Sequence, residues 1–120
     1  MQPNRRQFLV TVTITNASEP APAELQAAMT ALIEAETQRG RFAVTGGLAP
    51  HSDGARLTLS ANGARRSNAR VPLHGFAVVE AHSLDEAMEV ATRMLKLHER
   101  YVPNWECDWE VRPIVTHCLP

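Results

Sequence analysis

His51 and Asp53 stand two residues apart, just after a glycine pair, in Gly46-Gly47-Leu48-Ala49-Pro50-His51-Ser52-Asp53-Gly54. A carboxylate beside an imidazole favours the protonated ring and fixes its orientation, which is what a general acid or base requires. The same five residues from Pro50 to Gly54 also have the composition of a polar turn, since Asp, Ser and Gly supply local hydrogen bonds and permissive backbone. His74 precedes Gly75, whose missing side chain would let a ligand or another backbone approach; a histidine there also suits a sheet edge or an interface. Asp108, Glu110 and Arg112 alternate with Cys107, Trp109 and Val111, so Arg112 belongs either to a solvated strand face or to an anion clamp that holds a carboxylate through two parallel hydrogen bonds. Trp109, with Trp105, offers apolar area to close a seam, or a wall on which an aromatic ligand could stack. His82, His98 and His117 read as structural or exposed.

Serine-nucleophile, phosphate-loop and zinc-protease signatures are absent, and Cys107 and Cys118 lack metal-ligand spacing. The expectation is therefore no metal and no cofactor. If the chain is an enzyme, the remaining chemistry is proton transfer: isomerisation, elimination or decarboxylation of a small cyclic acid.

The elements that must position these residues follow from periodicity. Phe8, Val10, Val12 and Ile14 alternate with Leu9, Thr11, Thr13 and Thr15, the period of a strand with one face on a core. Ser18 to Pro22 stops that strand, and Leu25, Ala28, Met29, Leu32 and Ile33 mark a helix from about Ala23 to Arg39, ended by Gly40. Arg41 to Thr45 and Ala55 to Ser60 read as strands, with Gly46 to Pro50 as a turn between them. Asn62-Gly63 is the pair favoured in a type I′ hairpin, returning through Ala64 to Arg70. Leu73 to Ala81 is a buried strand. Ser83 and Glu86 have capping-box spacing and open a helix along which Leu84, Ala87, Met88, Ala91, Leu95 and His98 share a side. Pro103 and Asn104 end it before a last strand from Cys107 to Val115.

This order gives an α+β domain of ferredoxin-like βαββαβ type, an antiparallel sheet with two helices on one face. The other sheet face needs cover, and two copies packed sheet to sheet would form a dimeric α+β barrel, so a homodimer is expected. The 120 residues bound a single domain. A net charge of −1 lacks the electrostatic footprint of a nucleic-acid binder, and no stretch approaches the length of an apolar membrane span. Arg65, Arg66 and Arg70 read as a solvated hairpin tip. Arg5-Arg6 before Phe8 resembles a twin-arginine leader, but the alternation that follows is not a continuous apolar segment. A cytoplasmic protein with free thiols is the expectation.

Gly75-Phe76, then Ser83-Leu84-Asp85-Glu86-Ala87, a helix and Glu110-Val111-Arg112-Pro113 together resemble the YCII-related (DGPF-domain) proteins, and Gly46 to Pro50 resembles their Gly-Gly turn. The resemblance implies a dimeric α+β barrel. It further implies a small-molecule enzyme using a His and Asp pair, one group of the family being similar to dehydrochlorinases of aromatic degradation; other members accompany sigma factors. The sequence departs from the pattern where Asn68-Ala69-Arg70-Val71 replaces the D-G-P-F segment. Two readings follow. One is a cofactor-free lyase or isomerase with His51 as base, Asp53 orienting it, and His74, Arg112 and Trp109 holding a small cyclic or aromatic-derived acid. The other is a non-catalytic small-molecule-binding or regulatory dimer.

Overall fold

The computed structural model of the chain describes residues 5–17 and 19–115. Ser18, His117 and Cys118 lie outside the described residues, so the readings made of them above are not addressed. The elements run β1 (Arg6–Ile14), α1 (Ala23–Gln38), β2 (Phe42–Gly47), β3 (Ala55–Ser60), β4 (Gly63–Asn68), β5 (Leu73–Ala81), α2 (Leu84–Tyr101) and β6 (Cys107–Pro113). Four strands form one antiparallel sheet in the order β2-β5-β1-β6, the ferredoxin-like arrangement expected from the order of elements. Phe8, Val10, Ala77, Val79 and Ala81 turn one sheet face to the buried residues of α2, and Met29, Leu32 and Ile33 of α1 pack against the same cluster.

The end of α1 and the start of α2 each have a local cause. Gly40 takes a φ of 76° after α1, in the left-handed region where glycine is favoured. Ser83 caps α2: its Oγ accepts a 3.2 Å hydrogen bond from the Glu86 backbone N–H. The buried stripe of α2 differs from the expected one. Ala87, Val90, Ala91 and Met94 are buried, whereas Leu84, Met88 and Leu95 are exposed. The helix is rotated about its axis because α2 faces the sheet along 87-90/91-94-98, one side of a wider apolar band.

Two glycine-rich turns also differ from their expected geometry. Gly46 and Gly47 belong to β2, and neither has a positive φ. Gly46 is required by packing instead: a Cβ there would sit 2.9 Å from the Phe76 ring. In the hairpin, Ser60 pairs with Gly63, so Ala61 and Asn62 span the turn, and only Gly63 has a positive φ, 101°. A type I′ turn needs positive φ at both central residues, and Asn62 does not supply it.

β3 and β4 pair only with each other, as a second, two-stranded sheet. Leu57 and Leu59 on it are 79% and 83% exposed. The radius of gyration, 16.3 Å, exceeds the roughly 13.6 Å of a compact domain of this length, as a projecting hairpin requires.

At the end of the sheet where β1 begins, the helices are tied by a buried carboxylate that sequence reading missed. Glu36, 1% exposed, continues the α1 stripe past Ile33. Arg93 of α2 donates to its Oε1 at 2.6 Å, and Arg39 and Arg41 lie at 3.4 and 3.5 Å. Arg5 donates to the Gly40 carbonyl beside this group. No helix of the described residues is long and apolar enough to cross a membrane.

Candidate functional site

The register of the sheet decides where the space between helices and strands is filled. Across one row the helix-facing residues are Phe42, Val79 and Phe8. In the next row they are Thr45, Ala77, Val10 and Val111. At the far end they are Gly47, Gly75, Val12 and Trp109. Across β2, β5 and β1 side-chain volume falls from Phe42, Val79 and Phe8 to Gly47, Gly75 and Val12, while Trp109 of β6 stands at the side of the last row. A Cβ on Gly75 would meet the Gly46 carbonyl at 3.2 Å, so the close approach of β2 keeps this floor bare.

The result is a cavity of about 610 Å³, within the ordinary range for small-molecule sites. Val12, Ile14 and Ala77 form its floor, Met29 and Ile33 of α1 and Met94 of α2 its roof, and Trp105 and Trp109 one wall. His74 and the segment from Glu19 to Ala21 stand at its rim. Val10 and Thr45 complete the sheet side.

His98 is a polar side chain in the lining of this apolar space. The His98 Nδ1 lies 2.9 Å from the Met94 carbonyl, one helical turn back. A carbonyl only accepts, so this contact places a proton on Nδ1 and leaves Nε2 of the neutral ring as an acceptor. The imidazole stands edge-on to the Trp109 ring, with centroids 5.0 Å apart and planes at 74°, and 6.5 Å from Trp105. The Trp109 indole Nε1 is buried and has no hydrogen-bond partner. A buried donor of this kind is rarely left empty in a folded protein.

His74 holds β5 to β1 at the rim. Its Nδ1 lies 3.2 Å from the Ile14 backbone N–H, which donates, and 3.1 Å from the Pro72 carbonyl, which accepts. One nitrogen serves one of these at a time: the bare nitrogen accepts from Ile14, and the protonated one donates to Pro72.

The other residues read from the sequence lie elsewhere. His51 and Asp53 form a short 3-10 turn, both exposed, and neither lines the cavity. Asp53 makes no hydrogen bond or ion pair to His51 among the described residues; the turn is closed by backbone bonds from Asp53 N–H to the Pro50 carbonyl and from Gly54 N–H to the His51 carbonyl. Arg112 is exposed on the sheet face away from the helices, opposite Leu9. Leu9 is four residues along β1 from Thr13, about 13 Å, so Arg112 does not converge with His74. Of the five residues expected to form a site, the structure brings His74 and Trp109 to one cavity. His98, read as structural, joins them. Its signal in the sequence was position alone, one turn beyond Met94 on the buried side of α2.

Cys107 is a free thiol in a smaller recess shared with His98, Trp105 and Trp109. Burial, and then the negative charge of Asp108, push its pKa above the ordinary 9.0. It is thereby kept as the thiol, the less nucleophilic form. Among the described residues, no group of three or more His, Cys, Asp or Glu side chains comes together as a metal site.

No family model and no curated protein matches the chain. Among solved structures it is similar to a hydantoinase/carbamoylase family amidase from Burkholderia ambifaria, with a TM-score of 0.39 and 12% identity over 92% of this chain. The chain spans 27% of that amidase's length. A likeness of that extent says nothing of what this chain does.

Proposed function

We propose that this protein binds a small, ring-sized molecule between its helices and its sheet, as a cytoplasmic homodimer of the YCII-related, dimeric α+β barrel kind. The observation that carries the binding reading is the 610 Å³ cavity, apolar on most sides, with His98 and the rings of Trp105 and Trp109 among its lining. Homodimerisation is supported by the other sheet face, where Leu9, Phe76, Val78 and Val44 lie without a covering helix and Val44 is 50% exposed. Light scattering is expected to give about twice the 13.2 kDa chain mass. A monomer at micromolar concentration removes the barrel.

The binding reading is tested by thermal shift with a panel of one- and two-ring compounds. A ligand at a hundred times its Kd adds about 2.7 kcal/mol of stability, a shift of several degrees for a chain of this size. Ala77→Leu, which fills the cavity floor, should abolish the shift. If no compound moves the wild-type Tm, or if Ala77→Leu responds as the wild type does, the cavity is not the site.

A second reading, cofactor-free proton transfer, is favoured by the tie between His98 and the Met94 carbonyl. It leaves Nε2 as the basic nitrogen, the role that sequence reasoning assigned to His51. Exchange of a bound ligand's acidic C–H in D₂O, followed by NMR and slowed about a hundredfold in His98→Ala, separates this reading from simple binding. Equal exchange in the two proteins leaves binding alone.

A further inference from the structure

We infer that the β3–β4 hairpin of one copy docks on the start of α2 of a second copy, through a contact separate from the sheet-face dimer proposed above. The hairpin has no support from its own domain. Its strands pair only with each other, and a two-stranded ribbon is marginally stable in water until one of its faces packs on something else. Residues directly opposite each other share a face, so Leu57 with Arg66 and Leu59 with Ala64 build one side, continued by Ala55. Leu57 and Leu59 stand almost fully in solvent there. The other side carries Arg56 and Arg65 with Thr58 and Ser67. From Ala55 to Arg70 the segment holds four arginines and no acid, and none of Arg56, Arg65 and Arg66 makes an ion pair among the described residues. Exposed apolar side chains rimmed by polar ones mark an interaction surface.

The complement of that surface lies on α2. Leu84 and Met88, one helical turn apart, are both exposed, and Asp85 and Glu89 stand exposed beside them. From Leu84 to Thr92 the helix holds three acids and no base, and neither Asp85 nor Glu89 is paired among the described residues. Two leucines flanked by guanidinium groups therefore match a leucine and a methionine flanked by carboxylates, an arrangement in which charge fixes the register and apolar contact closes it. The two patches of one chain do not meet. The hairpin leaves the sheet between Gly47 and Leu73, whereas α2 begins after Ala81, at the opposite end of β5. The nine residues of β5 span about 30 Å, and the six-residue strands of the hairpin reach about 20 Å. The helix that receives the hairpin thus belongs to another copy. Because each chain offers both halves, a two-fold axis between copies makes the contact twice.

The test mixes two forms of the full chain. One carries a nitroxide on Ala61→Cys, in the hairpin turn, with Cys107→Ser and Cys118→Ser; the other is ¹⁵N-labelled and has no nitroxide, so any paramagnetic broadening of its amide resonances comes from another copy. Broadening is expected at residues 84–92. Arg66→Glu in the nitroxide chain sets carboxylate against carboxylate and should weaken the contact about tenfold, with loss of the broadening; Glu89→Lys in the ¹⁵N chain should then restore it. Both residues are exposed, so neither substitution disturbs the core. No broadening at residues 84–92, or broadening confined to another surface, would overturn the proposal. So would broadening that survives Arg66→Glu, since charge would then not direct the contact. Wild-type chain that sediments with phosphatidylserine vesicles, loses this with Leu57→Ser and Leu59→Ser, and shows no broadening between copies would assign the hairpin to a membrane surface instead. Broadening is read separately from mass, so failure here leaves the sheet-face dimer standing.

Discussion

The two ends of the layer between helices and sheet are built from the same elements and are opposite in character. Where β1 begins, Phe42, Val79 and Phe8 fill the row across three strands, and Glu36 with its arginines ties α1, α2 and the residue before β2 together. Where β1 ends, Gly47, Gly75 and Val12 leave the floor low, and no ion pair joins the helices among the described residues. One end spends its side chains on closure. The other leaves a hollow with His98 in its lining. Stability and binding are thus separated along one sheet, and substitutions at the two ends should have different signatures.

The largest effect belongs to the closed end. Glu36→Ala removes the one carboxylate shared by Arg39, Arg41 and Arg93, leaving Arg41 Nη1, already buried without a hydrogen bond, with no counter-charge. Breaking a buried ion pair costs ~3–5 kcal/mol where the remaining charge is trapped. Arg39 and Arg93 reach solvent, with side chains 61% and 42% exposed, so the cost should sit at the low end, about 3 kcal/mol. Urea unfolding measures it. A loss under 1 kcal/mol would show that the ion group contributes little closure, while ligand binding at the far end should be unchanged.

This group also shows where sequence reasoning stops. The alternation of Phe8 to Ile14, the Ser83 cap and the strand Leu73–Ala81 were legible because each depends on neighbours in the chain. Glu36 was not, since its partners come from the end of α1 at Arg39, the segment before β2, and α2. The rotation of α2 was hidden for a related reason. Leu84, Met88 and Leu95 are as apolar as the buried residues, and only the sheet decides which side of the band it covers. The bare floor needs the register of Gly47 with Gly75 and of Gly75 with Val12, so the glycines read as a turn when they are one row of a cavity. His51 and Asp53 drew attention through spacing alone, and spacing does not place a loop over a pocket.

A smaller effect compares the ends directly. Ala81 and Ala77 both face the helices from β5, yet Ala81 is fully enclosed and Ala77 borders the cavity. Added methyls in a filled region force neighbours off their preferred rotamers, at a cost of about 1–2 kcal/mol for Ala81→Val. Ala77→Val has space to occupy and should change stability by less than about 0.5 kcal/mol, with weaker ligand binding as its main effect. Equal destabilisation by the two substitutions, read from their thermal midpoints, would mean that the hollow is not open in solution.

The smallest effect probes the open end through its thiol. Burial first, and Asp108 second, raise the Cys107 pKa above 9.0. A group whose folded pKa lies above its unfolded value stabilises the fold fully below the unfolded value. That contribution is lost as the pH rises through the folded value, so Cys107 should lower stability only in the alkaline range. At pH 8, alkylation by iodoacetamide in a Cys118→Ser background should be slower than for a free thiol. Because Asp108 is the lesser cause, Asp108→Asn should speed it only modestly, by less than about threefold, and a cavity ligand resting on Trp109 should slow it further by closing the adjoining recess. If Asp108→Asn restored the full rate of a free thiol, charge rather than burial would control Cys107, and the wall behind Trp109 would be more open to water than the structure shows.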